Sequence, residues 1–298
     1  MTSNPAQVGG WKSTAHKYDS VHELQRLTVW TRAGDQSAAA SQKSKRIWVI
    51  YIHGGAWRDP TQSDASFIPA LTQLTTSSTY TSLVNNDVQA FASIDYRLSA
   101  HPNHPQDITT TPSSRYRDAK HPDHVLDVQS AIRFLQETYR FAENYILAGH
   151  SCGATLALQC VMPTSIPELP RDFTGPVGIA GLAGIYDLRV LRDTNSHPEY
   201  ARFIRGAFGD DETLWDTVSP ARYKDFQDTW PEGRVVILAS SRNDELVDDP
   251  QIDSMGEMGS RVQVVKMKNE LLGTHDEIWS RGIDLARVIA EMVEKVNV

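Results

Sequence analysis

Seven short apolar runs, separated by segments of helical periodicity, limit the fold of this chain more than any other feature of its sequence. The runs are nearly continuous in apolar residues, which is typical of strands buried on both faces of a parallel sheet. Apolar residues at three- and four-residue steps predict helices over 124–140 and 275–296, and a helix is expected over 154–162. This alternation indicates an α/β fold with a mostly parallel central sheet. The predicted strands are 27–32, 46–52, 90–96, 145–149, 177–185, 234–240 and 261–267.

The length and the irregular segments predict one domain with long insertions. A chain of 298 residues is near the upper size for a single hydrophobic core, so we expect one domain over 1–298. Residues 33–45 are small and polar and predict a loop, and the proline- and histidine-rich residues 98–123 predict a long surface loop. Residues 186–233 are longer than one crossover needs, which predicts a small cap-like insertion over an active site.

Charge and cysteine content argue against several partners and compartments. The formal net charge is -8 and the basic residues are scattered, so no nucleic-acid-binding surface is predicted. The chain has no run of about 18 apolar residues and no signal-peptide pattern at its start, so neither a membrane span nor secretion is expected. On one helix, Cys152 and Cys160 would lie roughly 12 Å apart, which is too far for a disulfide. A reducing, cytoplasmic compartment is therefore expected.

The strongest local motif is Gly149-x-Ser151-x-Gly153 in "YILAGHSCGATLAL". The five-residue pattern alone is weak, and an ordinary glycine-rich turn would also contain it. Its context is stronger, because a predicted strand precedes it and a predicted helix follows it, as a nucleophile elbow requires. Such a turn would expose the Ser151 hydroxyl above the sheet and aim the Cys152 N–H at a developing oxyanion.

A serine hydroxyl needs a base, and in this architecture the acid and the histidine follow the serine in the chain. His275 is favoured as the base, because it lies between the last predicted strand and the last helix. His150 adjoins the serine and is expected to point away from the serine side chain. The other histidines near candidate loops precede the serine or fall in the candidate cap: His101, His104, His121, His124 and His197.

The orienting carboxylate is expected after the strand before last. Asp244 is favoured because it comes soonest after that strand, and Asp187 is its competitor. A solvated turn residue is the alternative reading of Asp244, since the same loop also holds Glu245, Asp248 and Asp249.

The segment "HGGAW", residues 53–57, ends an early predicted strand. The glycines could simply end that strand, but they would also let backbone N–H groups reach a reacting carbonyl. The predicted oxyanion donors are within Gly54, Gly55 and Ala56, together with Cys152. His53 is expected to hydrogen-bond this loop into shape. Trp57 is expected either to face an aromatic substrate or to pack against the sheet, and the sequence leaves both readings open.

These motifs together resemble a known family. Residues from about 46 to 290 resemble α/β-hydrolases of the esterase/lipase branch. More narrowly, "HGGAWRDP" is similar to the HGGxW motif of kynurenine formamidases (arylformamidases), above all the fungal type. "GHSCGA", "SRNDELV" and "GTHDEIW" are similar to that family's serine, aspartate and histidine segments in order, and "HPDHVLDV" is also similar.

The resemblance implies a function. It implies hydrolysis of the small molecule N-formyl-L-kynurenine to L-kynurenine and formate in tryptophan breakdown, with no metal and no organic cofactor. Separately from the resemblance, a monomer or a homodimer is expected. It gives the triad roles to Ser151, Asp244 and His275. The sequence leaves two alternatives: a carboxylesterase with broader acyl tolerance, and a non-catalytic binding protein on the same fold.

Overall fold

The computed structural model describes residues 7–32, 46–166 and 173–297. The predicted loop over 33–45 lies outside the described residues. A nine-stranded sheet crosses the described part of the chain, in the order β1-β2-β3-β5-β4-β6-β7-β8-β9. The strands are β1 Gln7–Val8, β2 Trp11–Lys17, β3 Arg26–Arg32, β4 Ile47–Ile52, β5 Val88–Ile94, β6 Tyr145–His150, β7 Gly178–Leu182, β8 Val235–Ser241 and β9 Gln263–Leu271.

The sheet is mostly parallel, as predicted. The six strands from β5 to β9 in the sheet order pair in parallel, and β1, β2 and β3 extend this sheet in antiparallel fashion. β4, β5, β6, β7 and β8 are buried along their whole length, which explains their continuous apolar sequences. β2 was not predicted, because only Trp11 among its seven residues is buried and its sequence is therefore mostly polar.

Helices cover both faces of the sheet, and the helices on each face pack over a separate apolar cluster. One face carries α1 Ile68–Thr76, α2 Thr81–Asp87, α10 His275–Ser280 and α11 Ile283–Val296. The other face carries α3 Asp123–Tyr139, α4 Cys152–Gln159, α5 Leu188–Thr194, α6 Pro198–Phe208, α7 Glu212–Val218, α8 Phe226–Thr229 and α9 Asp249–Ser254.

The last predicted helix is two helices. α10 and α11 are separated at Gly282, which has a left-handed backbone with φ of 69°. A Cβ at Gly282 would meet the backbone of Pro69 in α1 at 2.3 Å, so only glycine fits this junction. The apolar spacing continues across the break, which is why the sequence predicted one helix over 275–296.

Two long connections lie beside the sheet. Residues 98–122 are irregular apart from one 3₁₀ turn at Ser113–Arg115, as predicted for a long loop, and α3 begins at Asp123. The segment 186–233 contains α5, α6, α7 and α8 between β7 and β8. Cys152 and Cys160 are both buried and unbridged, in agreement with the predicted absence of a disulfide between them.

The parallel strands bring distant loops to one edge. Ile52 of β4 pairs with Gly149 of β6, so the HGGAW segment after β4 and Ser151 after β6 leave the sheet side by side. The segments after β8 and β9 leave at the same edge, and they carry Asp244 and His275. The carboxyl edge of a parallel sheet is where α/β folds place their sites. No helix of the described part is long and apolar enough to cross a membrane.

Candidate active site

Ser151 occupies a sharp turn between β6 and α4. Its backbone angles, φ 55° and ψ -125°, lie in a region that costs energy for any residue but glycine. A Cβ at Gly149 would meet the carbonyl oxygen of Gly153 at 2.3 Å. A Cβ at Gly153 would meet the carbonyl oxygen of Ile52 at 2.2 Å. Both glycines of the motif are therefore required by close backbone packing, which distinguishes this turn from an ordinary glycine-rich one.

His275 and Asp244 form a close pair. Nδ1 of His275 lies 3.0 Å from both carboxylate oxygens of Asp244. The Asp244 side chain is only 1% exposed, so it is not a solvated turn residue. Its Oδ1 also accepts the backbone N–H groups of Leu246 and Val247, each at 2.9 Å. These contacts fix the carboxylate, which in turn orients the imidazole with Nδ1 facing the acid.

The competing carboxylate, Asp187, has a different place. It is the N-cap of α5, where its side chain accepts the backbone N–H groups of Arg189 and Val190. Its other oxygen lies 2.9 Å from Nε of Arg222. These bonds account for Asp187 as a helix cap.

Glu245 and His150 also hold His275 in place, a role that the sequence did not predict for either residue. Glu245 accepts the backbone N–H of His275 at 3.2 Å. The ring of His150 packs against the ring of His275 with centroids 4.6 Å apart, and its Nε2 lies 3.1 Å from the His275 carbonyl oxygen. Burial lowers the pKa of His150 well below its usual value, with a smaller effect from the charge of His275. His150 is therefore a neutral ring that supports the pair.

The HGGAW loop lies against the serine turn. A Cβ at Gly54 would come within 3.0 Å of the Ser151 Cβ, so the loop backbone closely approaches the serine. Gly55, Ala56 and Trp57 follow one another with φ of 100°, 48° and 60°, a left-handed stretch of backbone. Glycine adopts this conformation easily, whereas Ala56 and Trp57 are strained in it.

The amide groups of this loop differ in what they bind. Within the described residues, the N–H groups of Gly54 and Gly55 donate to no backbone acceptor. The N–H of Trp57 donates to the Cys152 sulfur at 3.2 Å, and the Ala56 N–H also approaches that sulfur. Gly54 and Gly55 thus keep free donors beside Ser151, while the N–H groups of Ala56 and Cys152 both approach the Cys152 sulfur.

Cys152 is not a nucleophile in this arrangement. Burial raises the pKa of its thiol to about 11, although nearby hydroxyl and N–H groups partly offset the effect. The thiol is therefore protonated near neutral pH. Its role in the structure is to hold the HGGAW loop through its sulfur.

His53 hydrogen-bonds to the HGGAW loop. Asp95, a carboxylate that the sequence did not predict for this role, lies beside His53. Nδ1 of His53 lies 2.8 Å from the Gly54 carbonyl oxygen, and its ring stacks on Tyr96 with centroids 4.5 Å apart. Nε2 of His53 lies 3.6 Å from Asp95, which is 1% exposed. Burial lowers the pKa of His53 and raises the pKa of Asp95. The signal for Asp95 in the sequence was a lone acid at the end of the apolar run over 90–96.

Trp57 lies in the core instead of facing the site. Its side chain is fully buried and packs edge-on against Phe208 at 5.0 Å between centroids, with Phe203 at 6.2 Å. Neither Trp57 nor His53 lines the cavity described next. Of the two readings left open for Trp57, the structure gives the packing one, with α6 rather than the sheet as the main partner.

A cavity of about 540 Å³ opens above Ser151, and we call it the Ser151 cavity. This volume is in the range of sites for small molecules, about 300–1,000 Å³. His275 and Ser151 both line it, together with parts of the HGGAW loop, the loop over 98–123 and α6. Its apolar and aromatic lining is Ala56, Ile185, Leu191, Tyr200, Phe203, Leu246, Val247 and Trp279, and its histidines are His101, His150, His197 and His275.

No group of three or more His, Cys, Asp or Glu side chains is arranged to hold a metal ion within residues 7–32, 46–166 and 173–297. The groups that surround the Ser151 cavity are suited to acyl transfer. They comprise a hydroxyl on a strained turn, an imidazole oriented by a buried carboxylate, and free N–H groups beside the hydroxyl.

A mostly parallel sheet that carries such a turn at its carboxyl edge defines an α/β-hydrolase, and solved structures agree. Esterase B from Lactobacillus rhamnosis covers 97% of this chain and 87% of its own, with a TM-score of 0.66 and 14% identity. A truncated carbohydrate esterase from gut microbiota covers 98% and 100%, with a TM-score of 0.63 and 18% identity. These likenesses confirm the predicted fold.

Sequence comparisons narrow this class. The BD-FAE family model matches residues 35–257. The kynurenine formamidase-like hydrolase fscH of Fusarium equiseti is 38% identical over 90% of this chain and 89% of its own. The kynurenine formamidase avaC of Aspergillus versicolor is 34% identical over 79% and 84%, and that of Meyerozyma guilliermondii is 31% identical over 82% and 83%. The chain belongs to the kynurenine formamidase family of α/β-hydrolases, as its motifs predicted.

Proposed function

We propose that this hydrolase cleaves the formamide of N-formyl-L-kynurenine to give L-kynurenine and formate. The observation that carries the proposal is the buried His275–Asp244 pair beside the cavity that Ser151 lines. The names of the curated relatives supply the substrate. The cavity volume and its aromatic lining suit an aryl substrate of this size.

The proposed reaction follows from the roles of the side chains. His275 takes the proton of Ser151 as the serine oxygen attacks the formyl carbon, and Asp244 stabilises the imidazolium. The N–H groups of Gly54, Gly55 and Cys152 bind the oxyanion of the tetrahedral intermediate. His275 then protonates the departing aryl amine and leaves a formyl ester on Ser151. Water, deprotonated by His275, hydrolyses this ester to formate and free enzyme.

Two features support a formyl over a larger acyl group. The formyl carbon carries only hydrogen, so it needs little space between the HGGAW loop and Ser151. That gap is narrow, since a Cβ at Gly54 would already come within 3.0 Å of the Ser151 Cβ. The Ser151 cavity, about 540 Å³, is then left for the aryl amine.

The second candidate function is a carboxylesterase, which the esterase structures of the same fold favour. Comparing kcat/KM for N-formyl-L-kynurenine with kcat/KM for p-nitrophenyl butyrate separates the two. The formamidase proposal expects the formamide to be the better substrate by at least about tenfold, or roughly 1.4 kcal/mol. A clear preference for the butyrate ester would replace it with the esterase.

We also propose the domain organisation, compartment and oligomeric state in which the enzyme acts. The enzyme is one domain that acts without cofactor, nucleic acid or membrane, in the cytoplasm, as a monomer or homodimer. Two buried, unbridged cysteines fit a reducing compartment. The segment 186–233 acts as the cap, and the cavity lining that it contributes through α5 and α6 supports this role.

A further inference from the structure

We propose that Arg58 binds the α-carboxylate of the substrate, so that the site selects formanilides that carry an amino-acid end. This inference rests on the proposed function and names the group that recognises the far end of the substrate. Arg58 directly follows the HGGAW loop, and its backbone N–H donates to the Gly55 carbonyl oxygen at 2.9 Å. The carboxylate-binding and oxyanion-binding groups are therefore held on one short turn of backbone.

The guanidinium of Arg58 is sheltered and still has donors to spare. Its side chain is 12% exposed, and it lines the Ser151 cavity. Nη2 donates to Glu199 at 2.8 Å, and Cζ lies 5.6 Å from the centroid of the Phe203 ring. Within the described residues, this is the one hydrogen bond recorded for its five guanidinium N–H groups. A second, bidentate partner can therefore bind without displacing the protein's own contacts.

Among the described residues that line the Ser151 cavity, the charged side chains offer one cationic partner to a substrate carboxylate. Arg58 is the one arginine or lysine among its described lining residues, and the lining acids are Asp59, Glu199, Glu245 and Asp276. An anionic group placed elsewhere in this cavity would face like charges. The ammonium of an α-amino acid has several carboxylates to approach. A zwitterionic end thus fits the lining better than a free acid or a neutral group.

A second cleft on the other side of Arg58 adds positive charge. This basic cleft, about 370 Å³, shares Arg58 and His101 with the Ser151 cavity and also contains Arg117 and Arg202, with no carboxylate in its lining. Arg202 donates to the second oxygen of Glu199. Arg202 therefore shares the Glu199 partner of Arg58 but lies outside the lining of the Ser151 cavity.

The experiment compares two substrates that differ only in the carboxylate, N-formyl-L-kynurenine and N-formylkynuramine. For Arg58→Gln we expect kcat/KM for the kynurenine substrate to fall about 10- to 100-fold, mostly through KM. For the kynuramine substrate the change is expected to stay within about threefold. Arg58→Lys keeps the positive charge but loses the paired N–H donors of the guanidinium. Its kcat/KM for the kynurenine substrate should lie between those of the wild type and Arg58→Gln.

Arg202→Gln is the matched control, because Arg202 binds the same glutamate but lines only the basic cleft. It should leave both substrates within about threefold of wild type. Thermal unfolding midpoints of all variants establish that they fold. As a measurement independent of turnover, the dissociation constant of L-kynurenine, measured by calorimetry, should rise in Arg58→Gln, while that of kynuramine stays unchanged.

Three results would overturn the inference. An equal loss for both substrates in Arg58→Gln would make Arg58 a support of the HGGAW loop only. No loss for either would place the carboxylate elsewhere. Wild-type enzyme that hydrolyses neither formamide would refute the proposed function itself, and the inference with it.

Discussion

Single residues set the chemistry of the site, and the contacts of Asp244 lead to a direct prediction. Its carboxylate accepts Nδ1–H of His275 and two backbone N–H groups at once. An asparagine would keep one oxygen for the backbone groups but turn its NH₂ toward Nδ1, which forces the proton onto the wrong ring nitrogen. Asp244→Asn should therefore fold normally and lower kcat on N-formyl-L-kynurenine about 10³- to 10⁴-fold.

The control for this variant is Asp253→Asn. Asp253 lies in α9 on the surface and binds only Lys268 within the described residues. Its kcat should stay within about twofold of wild type. If Asp244→Asn and Asp253→Asn had similar kcat values, Asp244 would not orient the base.

A buried histidine predicts how stability depends on pH. The ring of His124 is 1% exposed; Nε2 lies 3.1 Å from the Ser99 hydroxyl, and Nδ1 has no partner. The Ser99 hydroxyl donates to the Ala119 carbonyl, so the ring donates from Nε2 to the Ser99 oxygen, and burial favours its neutral form. Burial lowers the pKa of His124 to about 3, helped by the charges of His121 and Arg97.

Because the folded-state pKa lies below the unfolded-state value, the unfolded chain binds the extra proton between the two values. The stabilisation is complete above the unfolded-state pKa and is lost as the pH falls toward 3. Between pH 7.5 and 5, His124 should thus lower the free energy of unfolding by about 2 kcal/mol. His124→Gln keeps an N–H donor and should remove this loss in denaturant titrations at the two pH values. His104→Gln, on the exposed loop, should keep this loss. Equal pH dependence of the free energy of unfolding in the wild type, His124→Gln and His104→Gln would contradict the role given to His124.

The sequence predicted the positions of the proposed reacting residues better than the residues that contact them. Ser151, Asp244 and His275 follow strands at positions that chain order alone suggests. The orientation of Trp57 depends on Phe203 and Phe208, which lie about 150 residues away on α6, so no local pattern could predict it. Arg58 was likewise not predicted as a site residue. In the sequence it is only a charged residue after a motif, and the groups around it are known only from the cavity lining.

At the level of elements, the turn between β6 and α4 depends on its glycines. A Cβ at Gly153 would lie 2.2 Å from one backbone oxygen and 2.6 Å from another, and backbone cannot give way as a side chain does. Gly153→Ala should therefore lower the free energy of unfolding by about 2–4 kcal/mol and abolish most activity.

Gly206 supplies the matched control. It lies in α6, where a Cβ would meet nothing within 4 Å. Gly206→Ala should raise the free energy of unfolding by about 0.5–1 kcal/mol, because alanine favours the helix. Chemical denaturation of both variants measures the contrast, and similar effects of the same sign would show that backbone packing at the turn is not limiting.

Strands that are apolar throughout were predictable, whereas a mostly polar strand and a helix break set by a distant contact were not. β4, β6, β7 and β8 were read from continuous apolar runs. β2 pairs along its whole length with β3, yet its exposed polar residues hid it. The division of the last helix at Gly282 depends on contact with α1, which the sequence does not reveal.

At the scale of the whole molecule, the alternation of strands and helices was enough to predict the fold class, whereas the cavity was not predictable. Four loops that are distant in the chain meet at the carboxyl edge of the sheet because the strands are parallel. The shape above that edge depends on how α6 and the loop over 98–123 pack there, and such packing is tertiary. The placement of Ser151, Asp244 and His275 at this edge was thus predictable, and the lining of the cavity around them was not.

The central claim is that Ser151, held at this edge, hydrolyses N-formyl-L-kynurenine. The most direct measurement is the rate at which purified wild-type protein and Ser151→Ala release L-kynurenine and formate in equal amounts. We predict turnover by the wild type and a loss of at least about 10⁴-fold in kcat for Ser151→Ala, with an unchanged thermal unfolding midpoint. A folded Ser151→Ala protein that works within tenfold of the wild type would contradict the account.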